Sequence, residues 1–426
     1  MSDVKRRVCI IGAGVAGLCA LRHTLEHNLE VTVYEQSDCI GGTWVYSDSI
    51  EEGPFGEDVH SSMYEGLRTN LPKEVMGFPD FHYPDTPEES FISSSEVLKF
   101  LNSYANHFDL KKHITFRYCV LRVRPREGEW EVITYNLDTN KDEKKFFDYI
   151  FVCNGHYSSP LYPTIKDLDK YVGRTLHSHF YRKANCFRDE NVLIIGAGAS
   201  GIDIAQHIHK TAKQVFLSHH MNPAPDTKFM KNVIQKPDIL RFTETGVIFK
   251  DRSSEEICSV IFCTGYETTF PFLSVDCGLR AAENFVQPLY KHCININQPT
   301  MAVIGLPFLV CPTQLFDLQV RFVLKYFSGQ KELPSKKEML DDTEKDMKQR
   351  WARGLTKRQA HMMGKEQQFE HYRDLCETAE IENIKPVIEN IIKDCGQKYI
   401  FELGTYRDSC FRIIDDDNFV KFTLQK

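Results

Sequence analysis

Two stretches of the sequence decide the fold. Residues 8–36 read VCIIGAGVAGLCALRHTLEHNLEVTVYEQ, and residues 191–220 read NVLIIGAGASGIDIAQHIHKTAKQVFLSHH. In each stretch a short run rich in β-branched residues leads through a glycine-rich turn into about a dozen residues of helical pattern, and a second apolar run follows. Each stretch therefore predicts a strand–helix–strand unit, and the chain is predicted to be an α/β protein with parallel sheets.

The glycine-rich turn of the first unit has the spacing of dinucleotide-binding turns and reads Gly12-Ala13-Gly14-Val15-Ala16-Gly17. Gly12 allows the tight turn, Gly14 lets a pyrophosphate approach the backbone, and Gly17 lets the helix pack close to the strand. The second strand ends at Glu35, whose carboxylate can accept hydrogen bonds from ribose hydroxyls and would repel a 2′-phosphate. This unit therefore predicts binding of FAD or NAD, and a strand–helix turn that is merely tight is the alternative.

The segment Gly41-Gly42-Thr43-Trp44 follows the first unit directly. Two glycines beside an aromatic residue suit a close approach of the backbone to a flavin, so Gly42, Thr43 and Trp44 are predicted to contact the cofactor. An ordinary surface turn with a packed tryptophan is the alternative interpretation. The irregular stretch 41–92 is long for a loop within a compact chain, and we therefore expect it to be functional.

The second glycine-rich turn reads Gly196-Ala197-Gly198-Ala199-Ser200-Gly201. The strand that follows it ends in Ser218-His219-His220 instead of an acidic residue. A polar and partly cationic strand end favours a 2′-phosphate, so this unit predicts NADPH in preference to NADH. The alternative for the two histidines is a solvated strand end.

Composition excludes several classes of protein. The chain has 426 residues, of which 42% are hydrophobic and 26% are charged, as in ordinary globular proteins. The net charge of −7 gives no attraction for nucleic acid. None of the 14 cysteines forms a C-x-x-C pair, which argues against zinc ribbons and most iron–sulfur sites, and no metal is expected.

The chain begins without a secretory signal pattern and contains no run of about 18 apolar residues. We therefore expect a cytoplasmic protein without a transmembrane anchor, with peripheral association with the endoplasmic reticulum as the alternative. The sequence leaves a homodimer open.

The rest of the chain is predicted more coarsely. A helix should begin after Ser93, and residues 114–152 should form a strand meander with a polar turn around 138–144. Helical patterns follow at about 313–328, 335–353, 365–380 and 383–395.

Three further motifs resemble those of the flavin-containing monooxygenases. Residues 171–181, YVGRTLHSHFY, match the family's identifying pattern, although its first position is usually Phe and here is Tyr171. Residues 262–266, FCTGY, match its F-A-T-G-Y box, and residues 67–81, LRTNLPKEVMGFPDF, match its T-N-x-x-K-E-x-M-x-F-x-D-F segment. Tyr181 stands where the Baeyer–Villiger branch has Trp. The chain looks similar to soluble insect-type members, which include alkaloid N-oxygenases.

This resemblance implies two Rossmann-like dinucleotide-binding domains. The larger, FAD-binding domain would be formed by residues 1–170 and 276–426, the latter with C-terminal helices. The smaller, NADPH-binding domain would be inserted between them at residues 171–275.

The resemblance also implies an activity, namely NADPH- and O₂-dependent oxygenation of a small amine or sulfide through a C4a-hydroperoxyflavin, as in xenobiotic metabolism. Asn70 is implied as the catalytic residue at the flavin–nicotinamide junction, because an amide donates and accepts without titrating. The resemblance further implies that Thr69 and Leu71 line the same site as Asn70 and that Gln319 lies on a helix near the flavin. Ser200, Gly201 and Asp203 would contact NADPH. His177 and Tyr181 would order the interdomain linker. The alternative interpretation of Asp203 is an ordinary acidic residue on a helix face.

Two other functions stay open at this point. The same sites could serve an NADPH oxidase that makes H₂O₂, or an NADPH-dependent flavin reductase. A flavoprotein fold kept as a non-enzymatic redox or interaction module is the second alternative, and intact motifs at both cofactor sites argue against it.

Overall fold

The computed structural model describes residues 5–50, 60–221, 226–364, 366–401 and 403–424, so residues 51–59 of the long stretch 41–92 lie outside it. The helices are α1 Val15–Glu26, α2 Lys73–Met76, α3 Ser94–His107, α4 Ala199–Ile208, α5 Pro312–Phe327, α6 Lys336–Ala352, α7 Gln367–Ala379 and α8 Pro386–Phe401. The described helices agree with the predicted helical patterns within a few residues, except that α8 continues beyond residue 395 and α2 was not predicted.

The strands of the first half of the chain are β1 Arg7–Ile11, β2 Glu30–Glu35, β3 Ile114–Phe116, β4 Tyr118–Arg126, β5 Glu129–Asn136, β6 Lys141–Phe147, β7 Tyr149–Val152, β8 Ser159–Pro160, β9 Arg174–His177 and β10 Asn191–Ile195. Those of the second half are β11 Gln214–Ser218, β12 Val233–Lys236, β13 Ile239–Phe242, β14 Gly246–Phe249, β15 Ser254–Glu256, β16 Ser259–Phe262, β17 Tyr266–Glu267, β18 Arg280–Ala282, β19 Phe285–Gln287, β20 Leu289–Tyr290, β21 Ile294–Asn295, β22 Met301–Val303, β23 Ser409–Ile413 and β24 Phe419–Thr423.

The first strand–helix–strand unit belongs to a seven-stranded sheet of order β20-β21-β22-β7-β1-β2-β3. The five strands from β22 to β3 are parallel, and β20 and β21 are antiparallel additions at one edge. β1 lies between β2 and β7, so the chain order reverses beside the glycine-rich turn that follows β1. In open α/β sheets such a switch point at the carboxyl ends of the strands is where ligands bind.

The second unit belongs to a separate, fully parallel sheet of order β12-β11-β10-β16-β9. Here β10 lies between β11 and β16, which repeats the arrangement around β1. A short antiparallel ribbon, β8 with β17, joins the segments where the chain enters and leaves this sheet. The predicted fold class, α/β with two Rossmann-like dinucleotide-binding domains, is confirmed.

Two local predictions differ from the structure. The polar turn covers only residues 137–140, because the charged residues from Lys141 onward continue as β6, which pairs with β5 through Asn136↔Lys141. Lys141, Asp142, Lys144 and Lys145 of that strand are exposed, so their charges keep their water while the backbone pairs. The β23–β24 hairpin was not predicted, and its turn is closed by the Asp415 carboxylate, which accepts from the backbone N–H of Asp417 and Asn418.

None of the described helices is long and apolar enough to cross a membrane.

Helix α5 packs against α1, and this contact contains a buried charge network. His23 Nε2 lies 2.8 Å from Asp317 Oδ1, and Arg321 pairs with the other oxygen of the same carboxylate at 2.6 Å. Burial alone would lower the pKa of His23, but its hydrogen bonds to Asp317, Cys19 and Glu26 raise the pKa well above its ordinary value. Burial would raise the pKa of Asp317, but His23 and Arg321 lower it. The network therefore joins α1 to α5 as an ion pair.

This pair predicts a pH-dependent stability. The contribution of His23 to the free energy of unfolding is fully present below its unfolded-state pKa of about 6.5, and it is lost as the pH rises through the raised pKa of the folded state. The contribution of Asp317 is lost as the pH falls below about 4. His23→Gln should therefore lower the free energy of unfolding by about 3 kcal/mol near pH 6, and the difference should shrink as the pH rises above the unfolded pKa of His23. Urea unfolding at several pH values measures this. The exposed His107→Gln is the control, and a difference independent of pH would contradict the ion pair.

Candidate functional site

Two glycines of the first turn are required by the backbone around them. Gly12 has a φ of +100°, and a Cβ there would lie 2.6 Å from the carbonyl oxygen of Cys153, the residue after β7. A Cβ on Gly17 would lie 1.8 Å from the carbonyl oxygen of Gly12. These contacts hold α1 against the end of β1, and they place Ala13 and Ala16 in the buried interior of the turn.

Gly14 differs from its two neighbours because the protein itself has room for a side chain there. Its φ is −74°, and a Cβ would lie 3.6 Å from Gly42 Cα, an ordinary van der Waals distance. Gly14 is the N-cap of α1, no side chain caps it, and the first turn from Val15 contains no acidic residue. The first N–H groups of α1 are thus left for an anion, and the missing Cβ opens the approach to them.

Glu35 and the segment 41–44 lie directly beside this turn. Glu35 is 8% exposed; its Oε2 accepts from the Ala13 N–H at 2.7 Å, and its Oε1 accepts from the N–H and hydroxyl of Ser37. The Gly41 N–H donates to the Ala13 carbonyl, and a short 3₁₀ turn, Gly42–Trp44, follows. Thr43 and Trp44 are half-buried. A carboxylate, an uncapped helix start and an open glycine in one place fit the ribose and pyrophosphate of a dinucleotide.

The second turn repeats this geometry. Gly196 has a φ of +104° and a Cβ there would lie 2.4 Å from the Cys263 carbonyl oxygen, while a Cβ on Gly201 would lie 1.8 Å from that of Gly196. A Cβ on Gly198 would meet nothing within 4 Å. Gly198 is the uncapped N-cap of α4, whose first turn is free of acidic residues, and Ala199 and Ser200 are exposed. The residues present therefore fit a second dinucleotide.

The three residues predicted to receive a 2′-phosphate differ in exposure. The Ser218 hydroxyl donates to the Pro237 carbonyl at 2.9 Å, and His219 is buried with its Nε2 hydrogen-bonded to Gln235 at 2.9 Å. His220 is exposed. Lys236 lies opposite Ser218 on β12, and its ammonium pairs with Glu255 at 2.7 Å. Lys236 is not among the residues predicted from the sequence, although its place at the carboxyl end of the neighbouring parallel strand could have indicated it.

The segment that carries Asn70 is fixed on both sides. The Thr69 N–H donates to the Ile92 carbonyl, and the Thr69 hydroxyl accepts from the Ile92 N–H at 3.1 Å. On the other side, Arg407 Nε donates to the Thr69 carbonyl at 3.0 Å. Asn70 itself is exposed and Leu71 is half-buried. The backbone before Asn70 is thus held while its amide stays accessible.

Asp203, predicted to contact NADPH, is bound to two other side chains. Its Oδ1 pairs with Arg407 at 2.7 Å, and its Oδ2 accepts from the Tyr64 hydroxyl. Burial and the Asp203 charge raise the pKa of Tyr64 well above its ordinary value, so Tyr64 keeps its proton and donates. A contact between Asp203 and NADPH stays a prediction. Sequence reasoning missed Arg407, because no motif marks an arginine so far along the chain.

Gln319 lies on α5 with its amide close to the carboxyl edge of the first sheet. It is fully buried, and its Oε1 accepts from the N–H of Gly305, which lies just beyond β22, at 2.9 Å. Its buried Nε2 has no hydrogen-bond partner within the residues described. That spare donor suits a cofactor oxygen, and contact with FAD stays a prediction.

The two linker residues of the family-like pattern are buried. His177 ends β9, and its Nδ1 accepts from the His179 N–H at 3.1 Å, while burial lowers the pKa of His177 to about 4. Tyr181 is fully buried, and its hydroxyl lies 2.7 Å from His207 Nδ1 on α4. A neutral His177 and a packed Tyr181 agree with a structural role at the linker.

Comparisons with known proteins agree with this geometry. The profile of the flavin-binding monooxygenase-like family matches residues 5–224 and 221–413. Senecionine N-oxygenase of Tyria jacobaeae is 34% identical over 437 residues, covering 97% of this chain and 91% of the relative. Flavin-containing monooxygenase FMO GS-OX5 of Arabidopsis thaliana is 36% identical over 375 residues, covering 84% and 81%.

A solved structure is similar over nearly the whole chain. The S-allyl-L-cysteine S-oxygenase from Allium sativum superposes with a TM-score of 0.90 at 33% identity, covering 98% of this chain and 97% of that one. The chain therefore belongs to the flavin-binding monooxygenase-like family. It is a flavin-dependent monooxygenase, and the cofactors that accompany this membership are FAD and NADPH.

The open position at Gly198 predicts a selective defect in Gly198→Ala. The protein has room for the added methyl group, so the fold and the FAD content should not change. The methyl group would stand where the pyrophosphate approaches, and we expect the Kd for NADP⁺, which carries the same pyrophosphate as NADPH, to rise at least about tenfold. Titration of NADP⁺ by calorimetry measures this. Gly201→Ala is the contrasting variant, because its Cβ would overlap the Gly196 carbonyl and should destabilise the fold. Unchanged binding by Gly198→Ala would contradict the assigned site.

Proposed function

We propose that the protein uses NADPH and O₂ to add one oxygen atom to a soft nucleophilic nitrogen or sulfur of a small molecule. The observation that supports this most directly is the repeated turn geometry. Gly14 and Gly198 are both open to a ligand at the uncapped start of a helix, each beside a switch point of its own sheet. The relatives named above are an N-oxygenase and an S-oxygenase, which supports an amine or a sulfide as substrate.

The residues of this chain would bind and orient the cofactors. FAD, when bound and reduced by NADPH, supplies the redox chemistry with O₂. The start of α1 would hold the FAD pyrophosphate and Glu35 its ribose, while the start of α4 would hold the NADPH pyrophosphate. His220 would contact the 2′-phosphate, because it is the exposed residue among Ser218, His219 and His220 at the end of β11.

Asn70 is the residue to which we assign a direct part in oxygen transfer. Asn70 is exposed, and hydrogen bonds from Thr69 to Ile92 and from Arg407 to Thr69 hold the backbone that precedes it. The position of its amide is therefore well defined. An amide can donate to an oxygen atom and accept from a neighbouring N–H at the same pH, because it does not titrate. A donor aimed at developing negative charge in a site that excludes water contributes to the rate.

The purified holoenzyme tests the proposed reaction. NADPH oxidation, O₂ consumption, H₂O₂ release and product are measured together, with N,N-dimethylaniline as the amine probe and S-allyl-L-cysteine as the sulfide probe. Oxygenation predicts close to one oxygenated product per NADPH with at least one probe. Stoichiometric H₂O₂ with neither probe oxygenated would instead indicate an NADPH oxidase. An absence of NADPH oxidation would indicate a non-enzymatic protein.

Asn70→Asp should uncouple NADPH oxidation from oxygenation. The carboxylate lacks the N–H donor and adds a negative charge at the same position, so the rate of product formation should fall roughly 100-fold while H₂O₂ per NADPH rises. FAD content should stay at the wild-type value, since the change lies on an exposed side chain. Asn106→Asp, an exposed position on α3, is the matched control. Wild-type coupling in Asn70→Asp would remove Asn70 from the mechanism.

A further inference from the structure

The C-terminal segment 403–411 lies between α4 of the second dinucleotide-binding unit and residues 68–91, far along the chain from both. Its start contacts α4, where the Gln206 side-chain amide donates to the Leu403 carbonyl at 2.7 Å. Its end packs on the segment after α2, where the Phe411 N–H donates to the buried Ser90 hydroxyl at 2.8 Å. Between these anchors Tyr406 packs edge-on against Phe91, with ring centroids 5.2 Å apart. The segment therefore contacts both the second unit and the loop that carries Asn70.

Arg407 makes this connection with three different donors. Its Nε and Nη2 donate to the carbonyl oxygens of Thr69 and Arg68, each at 3.0 Å, and its Nη1 pairs with Asp203 on α4 at 2.7 Å. The Thr69 carbonyl belongs to the same peptide group as the Asn70 N–H, so Arg407 holds the peptide plane that precedes Asn70. The side chains of Arg407 and Asp203 are only 18% and 19% exposed, so water screens the pair weakly.

The charge of Asp203 gives the pair a second consequence. Asp203 lies two residues after Gly201, close to the helix start to which we assign the NADPH pyrophosphate. A carboxylate there without a partner would repel the phosphates, and it would also weaken the positive end of the α4 dipole. Arg407 forms an ion pair with this carboxylate, and the Tyr64 hydroxyl donates a hydrogen bond to it. The negative charge of Asp203 is therefore balanced by groups from outside the second unit.

We infer that Arg407 is a positioning residue for oxygenation. Its guanidinium fixes the Asn70 peptide relative to α4, and so aligns Asn70 with the nicotinamide cofactor, while it offsets the charge of Asp203. This inference rests on the proposed function, in which Asn70 and the α4 start both serve one reaction. A planar guanidinium can reach three acceptors in fixed directions, whereas a lysine ammonium supplies charge without that geometry.

Two variants separate alignment from charge. Arg407→Gln removes both, and Arg407→Lys retains the charge alone. The holoenzymes are mixed anaerobically with NADPH to obtain the Kd and the limiting rate of flavin reduction. The NADPH-reduced enzymes are then mixed with O₂ without substrate to obtain the rate of H₂O₂ release. Arg412→Gln is the matched control, since Arg412 is an exposed arginine on β23, which begins two residues after Arg407.

For Arg407→Lys we expect wild-type FAD content and a Kd for NADPH within about twofold of wild type. Flavin reduction should be slowed roughly tenfold or more, and the reduced enzyme should release H₂O₂ faster than wild type when it is mixed with O₂. Arg407→Gln should show the same changes and, in addition, a roughly tenfold rise in the Kd for NADPH. If Arg407→Gln does not retain FAD, Arg407→Lys alone decides. Wild-type reduction and H₂O₂ release in Arg407→Lys would overturn the positioning role. A wild-type protein that NADPH does not reduce would overturn the proposed function itself, which is a different outcome.

Discussion

The close contact between a helix start and a strand end is the constraint on which the rest of this structure depends. In both units the first glycine lies under the carbonyl of a residue on the neighbouring segment, at Cys153 and Cys263, and the third glycine lies under the carbonyl of the first. No side chain fits at these four positions. The helix is therefore forced close to the sheet, and its N–H groups point into the space above the strand ends. The middle glycines, Gly14 and Gly198, are free of this constraint and face that space.

The parts of the fold that could be predicted are those in which neighbouring residues carry the signal. Each βαβ unit contains its strand, turn, helix and terminal side chain within about thirty residues, so local periodicity was sufficient. Glu35 lies against its turn as a strand-end acid should, with its carboxylate bonded to the Ala13 N–H. The helices after residue 312 were also close to their predicted bounds, because their apolar residues repeat at helical spacing.

The parts that could not be predicted depend on contacts between distant segments. Arg407 is separated from Thr69 by more than three hundred residues and lies in a short 3₁₀ turn, so neither periodicity nor a motif distinguishes it from the other arginines of the sequence. The β23–β24 hairpin turns through the acidic residues Asp415–Asp417, and a polar, acidic stretch so near the end of the sequence resembles a chain end. The burial of His219 was equally hidden, since it results from pairing with Gln235 on a strand that the sequence did not define.

The contact at Asp203 joins the second unit to the stretch around Asn70. Neither unit alone satisfies this carboxylate: Tyr64 comes from the stretch that leads to Asn70, and Arg407 comes from the C-terminal segment. Because Arg407 is also bound to the backbone of Thr69, a shift of α4 relative to the stretch that carries Asn70 would break a charge pair that water screens weakly. The cost of such a shift favours one placement of α4 relative to Asn70. Hydride transfer between two bound dinucleotides requires that kind of fixed placement, because the reacting atoms must approach within a few ångströms.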